Sequence, residues 1–410
     1  FRNRIYAGDT IMSIWSGIEN GLPTADLSPN ELAPMAQVQL QWPKWGQYHE
    51  TSGQAGEPID LPEAIELAEL AERQARFPQA VAEYLRLLAE SPSHFRFVDS
   101  RLKKFAKEAD VQEEISLLLR EEVLAHPDDD LRLRLLVDYE LQSGHTSRAL
   151  EVLMPYLRET PRHRSLVTRI AALSLEREAY ETASTAYQTL LDRFGDPIVM
   201  SRILLGLARA QAGRGLTDEA RQLYARVMEN YAGHSEADEA SYRLGDLMLQ
   251  SYGDSAAATE LFQSLADSGG RRPWRFKALF KVAEKKTSLG QFGKAEKAYS
   301  VIAEEGNPED RDEARFQIAD VRFLTGDFED ALDALKHLLS GRATNYVLND
   351  ALELAALIES GRGDSVALKA YAVAVGLDRT GQRAHAVEAL EGLLARTPPW
   401  ELRDRVMATM

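Results

Sequence analysis

Gly290-Gln291-Phe292-Gly293-Lys294-Ala295 and Gly326-Asp327-Phe328-Glu329-Asp330-Ala331 are one six-residue phrase written twice, 36 residues apart. Each opens on a glycine, passes a polar residue and a phenylalanine, and reaches an alanine. An aromatic or leucine follows four residues later, as in Ala295 with Tyr299 and Ala331 with Leu335. Four residues is about one helical turn, so both side chains share a helix face. Outward from this stretch, Ala80 with Tyr84, Ala183 with Tyr187, Ala220 with Tyr224 and Ala258 with Phe262 keep the step. Ala149 with Leu153 and Ala386 with Leu390 keep it with leucine. From Ala149 to Ala331 successive alanines are about 34 to 38 residues apart, the period of a helix–turn–helix array. Ala80 and Ala149 stand about twice as far apart, which predicts a degenerate repeat near Ile115 lacking the small residue and the turn glycine.

The residue types have physical reasons. The small alanine of the second helix lets the first helix approach, and the side chain one turn on fills the gap against the next repeat. The glycine ends the first helix in a left-handed conformation at little steric cost. Each pair buries its apolar face only against its neighbours, so the array forms a solenoid. Two departures carry expectations. Pro155 falls inside a second helix and should bend it. Glu178 stands where a turn glycine belongs.

These residues closely resemble the tetratricopeptide repeat (TPR) family, from about Leu61 to Pro398. The resemblance implies an all-α, right-handed helix–turn–helix solenoid. The longer units, such as 224–231 followed by Ala237-Asp238-Glu239-Ala240, are similar to TPR domains of bacterial envelope proteins, including Tol–Pal-associated periplasmic proteins and outer-membrane assembly lipoproteins. That second likeness implies an envelope location, periplasmic or membrane-anchored, rather than a cytoplasmic one.

Three regions follow. Residues 1–60 form an irregular extension, 61–344 a solenoid of about eight repeats with the second degenerate, and 345–410 an extra helix and a terminal repeat. The extension holds Trp15, Trp42 and Trp45 among its prolines and glycines. A short helix is expected near Thr10–Glu19. Val38, Leu40 and Trp42 alternate with glutamines, the period of a half-buried strand. A lone strand is unstable in water, so Trp42, with Trp15 or Trp45, is expected to pack on the first repeats or on a partner. A linker from an upstream membrane anchor is the alternative, since the chain opens on Phe1.

Composition bounds the function. The 410 residues are 44% hydrophobic, contain Cys 0 and carry a formal net charge of −16. Without cysteine there is no disulfide, thiolate zinc site or cysteine nucleophile. A chain this acidic repels phosphate at long range, which argues against a nucleic-acid partner. No apolar run approaches the roughly 18 residues of a membrane span. The eight histidines, His49, His94, His126, His145, His163, His234, His337 and His385, never fall three or four apart. No helix therefore offers zinc a pair of imidazoles, and surface or capping roles are expected. Gly290–Lys294 lacks the spacing, preceding strand and following Ser or Thr of a phosphate loop. No enzyme activity, cofactor, metal or small-molecule substrate is expected.

The resemblance places a binding groove on the first helices, beside the small packing residue of each. It implies Leu205 and Arg209 around Ala208, Tyr242 and Asp246 around Gly245, Phe280 and Glu284 around Ala283, and Phe316 and Asp320 around Ala319. Three aromatic–acid pairs suit an extended or helical segment with apolar and basic residues. The competing reading is that these aromatics only seal adjacent helices. The lysine and asparagine clamp for C-terminal carboxylates is absent. A charge reversal adds a second surface: Arg271, Arg272, Arg275, Lys277, Lys281 and Lys285 precede an acidic run from Glu304 to Asp330. It either balances the neighbouring repeat or meets an acidic partner or a second copy. The sequence thus points to a non-catalytic scaffold binding protein partners in a multiprotein complex. The rival is a self-assembling filament or coat subunit that oligomerises through its repeats.

Overall fold

A computed structural model describes residues 61–195, 197–269, 272–341, 345–396 and 400–409. They fall in two compact units, residues 1–98 and 99–410. The expected N-terminal helix and strand, with Trp15, Val38, Leu40, Trp42 and Trp45, lie outside the described residues, as does Arg271. Among the described residues every regular element is helical.

The first unit contains α1 (Leu61–Arg73) and α2 (Phe77–Glu90). They pack through Ala64 and Ala68 on α1 and Ala80, Val81, Tyr84 and Leu87 on α2, all buried. The turn between them passes through Ala75 at φ 56°.

Helix α3 (Phe95–Phe105) crosses into the second unit, where α4 (Gln112–Ala125) follows. Then come the pairs α5 (Asp130–Gln142) and α6 (Thr146–Leu153), α7 (Pro161–Glu176) and α8 (Tyr180–Phe194), and α9 (Met200–Gly213) and α10 (Thr217–Asn230). The pairs α11 (Ser235–Ser251) and α12 (Ser255–Asp267), α13 (Pro273–Ser288) and α14 (Phe292–Glu305), and α15 (Pro308–Thr325) and α16 (Phe328–Ser340) complete the regular part. Each helix packs on its partner, and from α8 on each second helix packs equally on the first helix of the next pair. The small residues do what the period demands: Ala149, Ala183, Ala220, Ala258, Ala295 and Ala331 are all buried. In α4, Ile115 and Ser116 fill the corresponding buried place, and the Ser116 hydroxyl donates to the buried carboxylate of Glu140 on α5. This is how the degenerate repeat stays docked without its alanine.

Turn chemistry explains the breaks. Gly144, Gly290 and Gly326 adopt φ of 93°, 68° and 87°. Glu178 takes the glycine's place at φ 59°, a left-handed backbone that costs roughly 1 kcal/mol for a residue with a Cβ. Pro155 ends its helix rather than bending it. α6 stops at Leu153, and a 3₁₀ turn, Met154–Tyr156, follows. Proline has no N–H for the next helical bond and its ring crowds the preceding turn, so an eight-residue helix has too little left beyond it to resume.

The C-terminal part departs from a plain terminal repeat. α17 (Asn345–Gly361) takes the place of a next first helix on α15 and α16. α18 (Ser365–Arg379) and α19 (Arg383–Ala395) form a hairpin, but α18 returns to α15. Tyr371 stands 6.4 Å from the Phe323 ring, and Arg379 donates to Asp320 from both terminal guanidinium nitrogens, Nη1 to Oδ2 and Nη2 to Oδ1, the latter at 3.1 Å. A last helix, α20 (Trp400–Thr409), which the sequence reading did not anticipate, packs on α17 with Leu402 and Val406 in the shared core.

Candidate partner-binding face

The first helices α9, α11 and α13 lie side by side because glycine and alanine leave room for aromatics from the second helices. A Cβ at Gly206 would run into the Tyr187 ring, and one at Gly245 would meet the Phe262 ring at 2.6 Å. Beside these seats the helices leave an open cleft of about 240 Å³. Its apolar wall is Tyr187, Leu205 and Trp274. Its rim is Arg202, Arg209, Glu236 and Glu239.

The rim charges are matched across the repeats. Arg202 Nε pairs with Glu236 at 2.9 Å, and Arg209 Nη1 lies 3.6 Å from Glu239 Oε1, which also takes Arg243 Nε at 2.6 Å. Trp274 is the centre of the aromatic part. The Tyr242 ring lies 5.4 Å from it, the Arg243 guanidinium carbon 5.4 Å from its centroid, and Lys277 Nζ 4.2 Å. Cations over an indole face are held by its quadrupole as well as by nearby acids. Burial pushes the Tyr242 hydroxyl up to about 12, with Asp246 and Glu284 adding to the rise and Arg243 opposing it. Burial also raises the Asp246 carboxyl above its ordinary range, against the pull of Lys281, Arg243 and Lys277.

Of the eight groove residues expected from sequence, Leu205 and Arg209 line this cleft. Leu205 itself is buried, with Arg209 half-buried above it. Tyr242 is half-buried between Phe262 and Trp274, and Phe280 packs on Tyr299 at 6.0 Å. Asp246 is half-buried and Glu284 exposed. Phe316 packs into the C-terminal core, and Asp320 is buried under Arg379. The expected aromatics Tyr242, Phe280 and Phe316 therefore carry packing, and none of them lines the cleft.

The basic stretch turns mainly towards the preceding repeat and its own. Arg272 pairs with Asp238 at 2.9 Å, and Arg275 with Glu305 at 2.7 Å. Lys281 lies 3.8 Å from Glu284, and Lys285 Nζ donates to Ser255 at 3.4 Å. Asp238 is raised by burial, which Arg272 partly offsets. Trp274 was missed by the sequence reading. It precedes the repeat phrase on the first turn of α13, and the signal available was its rarity, one of five tryptophans. His163 also departs from a surface role. It is 1% exposed, and its Nδ1 accepts from the Arg158 backbone N–H at 2.9 Å.

Among the described residues no helix is long and apolar enough to cross a membrane. No curated protein matches the chain. Among solved structures it is similar to a signal transduction ATPase with numerous domains (STAND) protein with a tetratricopeptide repeat sensor from Pyrococcus horikoshii, at 14% identity and a TM-score of 0.39. That match covers 87% of this chain but only 55% of the other. A tetratricopeptide repeat protein from Parabacteroides merdae matches at 14% identity over 72% of this chain and 98% of that one, with a TM-score of 0.28. A Podosopora anserina putative kinesin light chain with nearly identical TPR-like repeats matches at 20% identity over 48% of this chain and 94% of that one, with a TM-score of 0.27. Residues 170–235, from within α7 to the start of α11, match the family model described as tetratricopeptide repeat. With its helix pairs stacked on buried alanines, the described chain is an all-α solenoid of the tetratricopeptide-repeat type.

Proposed function

We propose that the chain is a non-catalytic protein–protein interaction scaffold that seats a segment of a protein partner along the first-helix face of α9, α11 and α13. The cleft between Leu205 and Trp274 is the observation that supports it. An apolar side chain of the segment enters between these two, against Tyr187. Its charged neighbours exchange with the Arg202–Glu236 and Arg209–Glu239 pairs, which on a half-exposed surface are worth only about 0–1 kcal/mol each. In this reading the face ends before α15, because Arg379 already holds Asp320. The segment carries apolar and basic groups, the latter drawn by Asp246 and Glu284. The basic residues Arg272, Arg275, Lys281 and Lys285 serve their own stack rather than an acidic partner. The same reading places the assembly in a bacterial envelope, on the resemblance of the long units, and cell fractionation tests that part.

Photo-crosslinking tests the face. A benzophenone side chain at Arg209 or Glu284 should give one discrete partner adduct in the source cells, while the same group at the exposed Arg226 or Glu260 of the second helices gives none. Trp274→Ala should abolish the adduct and keep the helical circular dichroism. Equal adducts from both faces, or adducts only with other copies of the chain, refute the proposal; the latter would favour a self-assembling subunit.

A further inference from the structure

The C-terminal hairpin carries a second surface, independent of the first-helix face. Between the start of α16, α18 and α19 runs an open groove of about 740 Å³. On α18, Val366, Ala370 and Val373 line it at i, i+4 and i+7, one face of a helix. Val366 is 61% exposed and Val373 48%. Phe328 and Leu393 form its floor. On α19 the lining residue Gly392 has no Cβ, and nothing lies within 4 Å of where one would stand. An apolar trough between two helices, with a missing side chain on one wall, accepts the ridge of a third helix.

Charge says what kind of helix. Lys369 and Arg396 stand on the two sides of the trough, both exposed and neither paired with a carboxylate among the described residues. In a chain of net charge −16, where most arginines of the stack are paired, two unmatched cations flanking an apolar stripe are a local inversion of sign. Nearby acids do not cancel it. Glu329 is paired with Arg362, and neither Asp327 nor Asp364, which accept from the Thr325 hydroxyl and the Ala367 backbone N–H, lines the trough. Glu391 lies about 100° or more around α19 from the lining residues, and Glu388, one turn before Gly392, is not among the residues that line the trough. We propose that this trough docks an amphipathic helix of a protein partner with an apolar stripe at i, i+3/i+4 and i+7 and acidic residues on both flanks of that stripe.

The test uses the full chain and two synthetic 16-residue fluorescent helices that share a leucine stripe, one flanked by glutamates and one by lysines. By anisotropy at low salt, the glutamate helix should bind about tenfold more tightly than the lysine helix, which is about 1.4 kcal/mol. Lys369→Glu with Arg396→Glu should invert that preference, and these exposed positions leave the fold intact. Val373→Asp should remove binding of both helices. Trp274→Ala should change nothing, which separates this surface from the first-helix face. Equal affinity for both helices, no inversion in the double variant, or no binding at about 100 μM overturns the proposal. So does a parent chain that is dimeric by light scattering and becomes monomeric on Val373→Asp, since a second copy then covers the trough.

Discussion

Replacing glycine by alanine in a helix interior should have opposite signs at Gly245 and Gly392. Both lie within helices, α11 and α19, where alanine is intrinsically favoured by roughly 1 kcal/mol. At Gly392 nothing opposes that gain, because a Cβ there meets no atom within 4 Å. At Gly245 the Cβ would stand 2.6, 2.8 and 3.1 Å from three carbons of the Phe262 ring. That ring is 5% exposed and has Tyr242 at 5.4 Å, so it cannot swing into solvent. Overpacking of this kind costs about 1–3 kcal/mol. With three close ring carbons the upper half of that range applies, and the helical gain reduces it to a net loss of about 1–2 kcal/mol. A repeat array opens locally, so the assay is hydrogen exchange resolved by peptide, with urea unfolding as a check. Gly245→Ala should speed exchange in α11 and α12 by roughly 5–30-fold, and Gly392→Ala should slow it in α19. If Gly245→Ala stabilises α11 as much as Gly392→Ala stabilises α19, the close docking of the second-helix aromatic is not what fixes this residue type.

Two further outcomes follow from the charged groups. Burial raises Asp246 above its ordinary 3.8, so its charge costs stability once folded and unfolded states are both ionised, and nothing below that value. Stability from this group is thus fullest at low pH and is lost as pH rises through the folded value. Asp246→Asn should be more stable than the parent at about pH 7, with the gap closing towards about pH 4; parallel pH profiles would refute this. Arg379→Ala leaves the buried Asp320 carboxylate unpaired and should loosen the α18–α19 hairpin by about 1–3 kcal/mol, discounted from the cost of breaking a buried pair because Arg379 is 40% exposed. Adding Asp320→Asn should recover most of the loss. Unchanged exchange in α18 and α19 would sink this account.

The fold was legible because its cause is periodic. Ala149, Ala183, Ala220, Ala258, Ala295 and Ala331 recur at the repeat spacing, Ala80 stands about two spacings before them, and all are buried. Even the exception at Glu178 was readable, since a residue in a glycine's place must adopt the glycine's backbone. The candidate face was legible only as helix positions. Spacing says which residues flank Gly245 or Ala319, not what else reaches them. Phe316 and Asp320 have the same register as Tyr242 and Asp246, yet a helix starting 45 residues after Asp320 lies on them. Such a long-range pairing leaves no periodic mark; Arg379 on Asp320 and Tyr371 against Phe323 carry it. Trp274 escaped for a related reason. It stands before the phrase that repeats, so no other unit offers a counterpart to compare.

The return of α18 also explains why the trough exists. A solenoid ends on an apolar helix face, and that face must be covered. Here α17 supplies the next first helix but is not followed by its own second helix. α20 covers it instead, through Leu402 and Val406 and an Arg405–Glu353 pair at 3.1 Å. The hairpin that would have extended the array is thereby diverted onto α15. One side of α18 is buried by Phe323 and its neighbours. The other side, which in a continuing array would meet the next pair, keeps Val366 and Val373 in water. Two exposed valines on one helical stripe, flanked by Lys369 and Arg396, are the observations on which the proposed docking of an acidic-flanked helix rests.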